Sequence, residues 1–221
     1  MSEEALLQRL AAQDTNTVSD ALDLLGLPGA TAGVRPQWNC PPIVGRAITV
    51  EMAPKTDDSI QQHPVTGVID AAGRVGTVMV VANGGRMDVS GWGDIVSNAC
   101  QVRGVAGAVI DGVCRDIVGS ESIGFPVFAR GVVPISARIR SIQKSGMQPV
   151  MFGGVRVRPG DYVIADRCGT VFVAAEHIEA VIDLAEKTAE RQAGMIRAIR
   201  AGGSVAVAMH DREFEAVKEL K

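Results

Sequence analysis

The stretch GWGDIVSNACQVRGVAGAVIDGVCRD, residues 91–116, decides how the rest of the chain is read. It opens on a glycine-flanked aspartate, Asp94, and closes on Arg115-Asp116, with twenty residues between Asp94 and Arg115. A helical pattern runs from about 94 to 103, a glycine turn follows, and residues 107–111 read as a buried strand. Gly112 and Val113 then read as a turn into the Arg-Asp pair. Helix, turn and strand return the chain, so the two charged ends can meet at one end of a βαβ-type unit. In open α/β folds that end is where ligands bind.

Working outward, residues 3–13 form an amphipathic helix with Leu6, Leu7 and Leu10 at helical spacing. TVSDALDLLG (17–26) predicts a second, capped by Thr17 and stopped by Gly26. The Gly- and Pro-rich stretch 26–42 is loop. Residues 43–52 form a strand in which Gly45 marks a bulge. Residues 58–72 look helical around Pro64, and 76–83 is a buried strand ending in the turn NGG. PVFARG (126–131) and the alternating ISARIRSI (135–142) predict strands. Residues 154–175 read as three strands joined by turns, the first a Pro-Gly turn. A long helix over 176–200 presents Ile178, Val181, Ile182 and Ala185, then Ile196 and Ile199, and ends at Gly202 and Gly203. The expected organisation is one compact α/β domain over 1–203, with a weakly helical or partly ordered tail over 204–221.

Composition bounds the function. The chain has 221 residues, 47% hydrophobic and 21% charged, which is long enough for a substantial core and ordinary for a globular protein. A net charge of −3, with Lys and Arg scattered, offers no electrostatic footprint for nucleic acid or an anionic membrane. No apolar run approaches the roughly 18–20 residues of a membrane span, and the acidic start MSEEALLQRL lacks the features of a signal peptide. Cys40, Cys100, Cys114 and Cys168 show no CxxC pair, which fits free thiols in a reducing compartment. The expectation is a soluble cytoplasmic protein.

Two features of the opening stretch carry chemistry. The first amides of a helix lack intrahelical partners and sit at the positive end of its dipole, so Gly93, Asp94, Ile95 and Val96 offer a carboxylate cradle. The plain alternative is that Asp94 only caps the helix. At the strand's far end, Arg115 presents a planar fork matched to a carboxylate or enolate oxygen. Asp116 is a hard oxygen ligand suited to Mg²⁺, although in an extended segment it would point away from Arg115. The plain alternative here is a strand-end ion pair or a second cap. Together, an anion cradle, a fixed cation and a metal carboxylate are what pyruvate-forming chemistry requires.

The D-x20-R-D spacing resembles that of the RraA-like family. TVSDAL (17–22), VGRAITV (44–50), PVFARG, GVRVRPGDYVIAD (154–166) and the long helix holding Glu190 are also similar, so the likeness covers about residues 15–203. Within the family the chain is most similar to the metal-dependent 4-hydroxy-4-methyl-2-oxoglutarate / 4-carboxy-4-hydroxy-2-oxoadipate aldolases. The resemblance implies a swivelling β/β/α sandwich, a homotrimer or hexamer, and retro-aldol cleavage of a 4-hydroxy-2-oxo acid to pyruvate, with oxaloacetate decarboxylation as a side activity. It assigns pyruvate binding to the amides of Gly93 to Val96 and to Arg115. It assigns Mg²⁺ or Mn²⁺ to Asp116, and a water-positioning role to Asp94 with Glu190 from a neighbouring copy. Two local departures, AGRVGTVMVVANGG (72–85) in place of a Pro-Gly-Asp entry and ADRCGTVFVAA without its usual proline, leave these residues intact.

Other chemistries fit the sequence less well. His63, His177 and His210 have no zinc-site spacing, and neither Cys100 nor Cys114 has a histidine companion. No glycine fingerprint supports a dinucleotide or phosphate loop. Lysines 55, 144, 187, 218 and 221 all lie in polar stretches, which argues against a Schiff-base aldolase. The rival expectations are a protein-binding regulator of an endoribonuclease, as some RraA-like proteins are, and another lyase or hydratase acting on sugar-derived 2-oxo acids. The loop 26–42 and the tail are the expected walls at the distal end of the substrate pocket.

Overall fold

The computed structural model describes residues 1–56 and 65–209. His63, Pro64, His210, the first part of the helix expected over 58–72 and most of the tail lie outside the described residues. The helices α1 (Glu3–Ala11) and α2 (Thr15–Leu25) lead through short strands β1 (Ala30–Thr31) and β2 (Arg35–Pro36) to the long strand β3 (Ile43–Pro54). Next come α3 (Thr66–Ala72), β4 (Thr77–Ser90), α4 (Asp94–Val102), β5 (Ala108–Cys114) and α5 (Ile117–Ser122). Strands β6 (Val127–Ala129), β7 (Gly131–Val132), β8 (Ser141–Gly146), β9 (Val150–Phe152), β10 (Val155–Val157), β11 (Tyr162–Ala165) and β12 (Thr170–Val173) follow. Helices α6 (Ile178–Arg200) and α7 (Val205–Ala208) complete the described chain.

Among these, one sheet runs in the order β1-β12-β11-β3-β4-β5-β6-β2, with β7 added on β5 and β8 on β3, and β9–β10 form a separate hairpin. Its middle strands β3, β4, β5 and β6 are parallel, and the outer pairs are antiparallel. The parallel pair β4 and β5, joined by α4, is the βαβ unit expected from residues 91–116. β5 is buried at every position, as a parallel strand covered on both faces must be. One core packs α3 and α4 against the sheet around Met79, Ile110 and Phe125, and another packs the β9–β10 hairpin against the opposite face around Phe128 and Phe152. A third joins α1, α2 and α6 to β11 and β12, where Ile178, Val181, Ile182 and Ala185 are all buried. Ile196, by contrast, is exposed. The fold is thus a mixed α/β single domain of the β/β/α type expected. No described helix is long and apolar enough to cross a membrane.

Several local expectations are corrected. Asp14, not Thr17, caps α2: its carboxylate accepts from the Thr17 amide at 2.7 Å, and the helix begins two residues earlier than the apolar pattern does. Gly26 ends it in the left-handed conformation, as expected. Gly45 is not a bulge; the register of β3 shifts between Glu51 and Met52. What Gly45 permits is close approach, since a Cβ there would lie 2.9 Å from the Thr77 carbonyl carbon. Residues 135–140 form no strand, because β8 starts only at Ser141. β4 runs on through the NGG turn to Ser90, its register breaking after Ala82, and β5 continues through Gly112 and Val113 to Cys114.

A buried charge locks β5 in place. Asp111 is 4% exposed and accepts from Arg130 Nε at 2.6 Å and from the Gly153 amide at 3.0 Å, tying the strand to β6 and to the β9–β10 turn. Asp111→Ala leaves Arg130 Nε and the Gly153 amide without their acceptor, although Arg130 Nη1 keeps the Ala32 carbonyl, so a loss of about 3 kcal/mol is expected. At this chain length that is a fall of roughly 6–12 °C in melting temperature, read by calorimetry. A change under about 2 °C would show that the pair does not hold the strand.

Candidate active site

The end of β4, the N-terminus of α4 and the end of β5 meet at one point. The Gly91 amide donates to the Val113 carbonyl at 2.8 Å and the Arg115 amide to the Trp92 carbonyl at 3.0 Å, which sets Arg115 beside the residue that begins α4. Gly93 is the N-cap, extended at φ −158°, and the first helical bond is Ser97 N–H to Gly93 O at 3.2 Å. The amides of Asp94, Ile95 and Val96 therefore lack intrahelical acceptors at the positive end of the helix. A cavity of about 220 Å³ opens here, lined by Gly93 to Val96, Arg115 and Asp116. The cradle residues Gly93 to Val96 and the Arg115-Asp116 pair singled out in the stretch 91–116 all share it.

Asp94 is the first helical residue rather than the cap, and the N-terminus carries no side-chain cap hydrogen bond. Its side chain lies against α5, where a Cβ added at Gly119 would fall 2.7 Å from Asp94 Oδ2. The capping alternative for Asp94 is thereby set aside.

Asp116 corrects a second expectation. It does not continue an extended segment but turns left-handed, at φ 56°, at the residue before α5, and its side chain makes no cap hydrogen bond to that helix. That conformation suits aspartate better than most residues, and it brings the carboxylate back to its neighbour. Arg115 Nε and Asp116 Oδ2 are 3.0 Å apart, each side chain about one-third exposed. A Cβ on Gly93 would fall 2.8 Å from Asp116 Oδ2, so glycine there lets carboxylate, guanidinium and helix amides stand together.

A hydroxyl network beneath the site escaped the sequence reading. The Trp92 indole N–H donates to Ser97 Oγ at 2.8 Å, and Ser97 Oγ is 2.9 Å from Ser120 Oγ, both serines fully buried. Trp92 also stacks on Phe125 with ring centroids 6.2 Å apart. The network fastens α4 to α5 and so holds Asp94 near Asp116. Only the spacing of Ser97 four residues after Gly93 hinted at it. Neither loop 26–42 nor the tail contributes to the cavity wall among the described residues; Met52, Val65, Thr66 and the segment Ser136–Arg138 do. Glu190 stands exposed on α6, outside this lining.

The remaining nucleophile candidates fall away. Burial pushes the Cys100 and Cys114 thiols up to about 12, far from the thiolate a nucleophile needs. His177 is exposed at the start of α6, and Lys144 pairs with Glu51 at 2.7 Å on the surface.

Comparison with known proteins places the sequence and the fold. Residues 15–172 match the RraA-like family, described as Aldolase/RraA. A Halalkalibacterium halodurans protein provisionally named 4-hydroxy-4-methyl-2-oxoglutarate aldolase is 31% identical over 173 residues, 78% of each chain. Protein DlpA of Legionella pneumophila is 27% identical over 95% of this chain, which spans only about a third (34%) of DlpA's length. Among solved structures, an uncharacterized Pseudomonas syringae protein superposes with a TM-score of 0.80 at 32% identity, covering 93% of this chain and 96% of that one. Streptomyces coelicolor RraAS2, described as an unusual member of the RNase ES inhibitor RraA family, gives 0.79 at 25% identity, over 89% and 97%. By sequence and by fold, the chain belongs to the RraA-like family.

Proposed function

We propose that the protein is a divalent-metal-dependent lyase that cleaves a 4-hydroxy-2-oxo acid to pyruvate and a second oxo acid. The observation that supports this reading is the meeting of the α4 amides, Arg115 and Asp116 around one small cavity. Relatives named for 4-hydroxy-4-methyl-2-oxoglutarate aldolase support it further. The volume is below the roughly 300–1,000 Å³ of drug-sized pockets, as suits a small acid.

In this reading the substrate carboxylate rests on the amides of Gly93 to Val96, and the Arg115 fork holds the pyruvyl oxygens. Asp94, with Glu190 of a neighbouring copy, positions the water that takes the C4 hydroxyl proton. As that proton leaves, the C3–C4 bond breaks, C4 becomes a carbonyl, and its electron pair passes to C3 and the adjoining oxo group. Arg115 steadies the negative charge until C3 is protonated to give pyruvate. The donors present fit a hard cation: carboxylate oxygen at Asp116, exposed beside a gap that a Cβ on Gly93 would fill, with no cysteine or histidine lining the cavity among the described residues. Held by Asp116, largely through waters, Mg²⁺ or Mn²⁺ would supply Lewis-acid stabilisation of the 2-oxo group. The same electron flow predicts oxaloacetate decarboxylation as a side activity.

The test is a coupled pyruvate assay on 4-hydroxy-4-methyl-2-oxoglutarate, 4-carboxy-4-hydroxy-2-oxoadipate and oxaloacetate with Mg²⁺ or Mn²⁺ supplied. Release from at least one hydroxy acid is expected, and silence on all three sinks the reading. The likeness to RraAS2 favours a second reading, a protein-binding regulator of an endoribonuclease. Capture of such an enzyme that survives Asp116→Ala, without pyruvate release, would favour it. A homotrimer, or a hexamer of two, that brings Glu190 to a neighbouring site completes the proposal. Light scattering that returned a fully active monomer would refute the assembly.

A further inference from the structure

Strand β4 reaches the site by leaving its partner. It stays in register with β5 as far as Ala82 opposite Asp111, then pairs only at Arg86 with Gly112 and at Ser90 with Val113. Residues 83–85 and 87–89 thus have no paired residue on β5, and the ladder alone does not fix where the chain returns. Yet the returning residues carry the Trp92 carbonyl that holds the Arg115 amide and Gly93, the N-cap of α4.

One buried side chain spans this departure from its first residue to its last. Asn83 is 1% exposed, and its Nδ2 donates to the carbonyl of the buried Val89 at 3.4 Å. The amide stands between the returning end of β4 and β5. A Cβ at Gly91 would lie 3.3 Å from Asn83 Nδ2, and one at Gly112 would lie 3.0 Å from the same atom. Glycine at both positions leaves that slot to the amide. Gly91 lines the cavity, as does Met52, whose Sδ is 3.5 Å from the same Cβ position. Asn83 therefore sits directly behind the cavity wall without being part of it. Packing alone does not account for it. Asn83 Oδ1 has no hydrogen-bond partner among the described residues, and a buried polar atom left so opposes folding. An apolar side chain would avoid that cost but could not donate to Val89.

We propose that Asn83 is a positioning residue of the site. Its amide brackets the departure of β4 and sets Gly91 to Gly93, and through them Arg115 and the α4 amides, at the spacing an anion needs. This inference rests on the lyase reading only for the identity of that anion, a 2-oxo acid.

The experiment compares wild type, Asn83→Ala, the gentler Asn83→Ser, whose hydroxyl is too short to reach Val89, and a control. The control is Ile182→Val or Ile182→Ala, whichever matches the melting temperature, in the separate core of α1, α2 and α6. Amide-resolved hydrogen exchange is measured on each, and pyruvate is titrated by calorimetry with Mg²⁺ present. In the Asn83 variants the Gly91 and Arg115 amides should exchange about tenfold faster than in the control, while the β3–β4 ladder should not. The Kd for pyruvate should rise about 5- to 10-fold, as for one lost hydrogen bond, and stay unchanged in the control. Site amides no faster than in the control overturn the assignment, as does loosening spread evenly over the sheet. Where wild type binds pyruvate, an unchanged Kd in the variants overturns it too. Locally loosened amides, with no pyruvate bound or released by wild type, would keep this inference and sink the lyase reading. Pyruvate release by wild type, with site amides as protected in the variants as in the control, would do the reverse.

Discussion

Asp116→Asn should abolish pyruvate release while leaving the protein folded. The substitution keeps the side-chain shape and the left-handed backbone at φ 56°, which asparagine tolerates, but removes the charge that would hold a divalent cation. Turnover should fall on the order of 10³-fold, and excess Mg²⁺ should recover little, because the ion's position is lost with its affinity. Stability should change by about 0–1 kcal/mol, the usual worth of an ion pair this exposed. Asp116→Ala is the harsher variant, since alanine in a left-handed conformation adds about 1–2 kcal/mol of strain. Pyruvate release and melting temperature are measured on the same preparations. Activity retained in the asparagine variant would return Asp116 to the role of an ion-pair partner of Arg115.

Arg115→Lys carries the second largest expected effect. Lysine keeps the charge, and it leaves the backbone bond from residue 115 to the Trp92 carbonyl untouched, so the frame of the site survives. It loses the planar fork that grips two oxygens at once. A fall on the order of 10²-fold in kcat/KM is expected, with little change in melting temperature. Kinetics within twofold of wild type would mean that the guanidinium does not bind the pyruvyl group and serves only the pair with Asp116.

The departures between sequence and structure have one physical pattern. Periodicity reports which face of an element is apolar, so the helices α1, α2, α4 and α6 and the buried strands were legible, with ends displaced by a few residues. It is silent on the hydrogen bonds that start an element, which is why Asp14 rather than Thr17 caps α2. It also misread the alternation in 135–140, where the backbone is held by turns and by bonds to neighbouring strand ends rather than by a ladder. The stretch 26–42 reads as loop because it is rich in glycine and proline, yet two of its short stretches are edge strands on β12 and β6.

By itself the sequence determined that Asp94, Arg115 and Asp116 would lie at one end of a helix–turn–strand return, because a short crossover can close in few ways. It determined too that the return strand would be buried, from the apolar run Ala108–Ile110 that leads into it. Only the tertiary structure decided how those groups face one another. The left-handed turn at Asp116, the absence of a Cβ at Gly93, the serine pair under Trp92 and the loop bearing Arg138 all depend on contacts between elements distant along the chain. Local pattern cannot encode such contacts, since each exists only once the sheet has brought β4, β5 and the β7–β8 connection side by side.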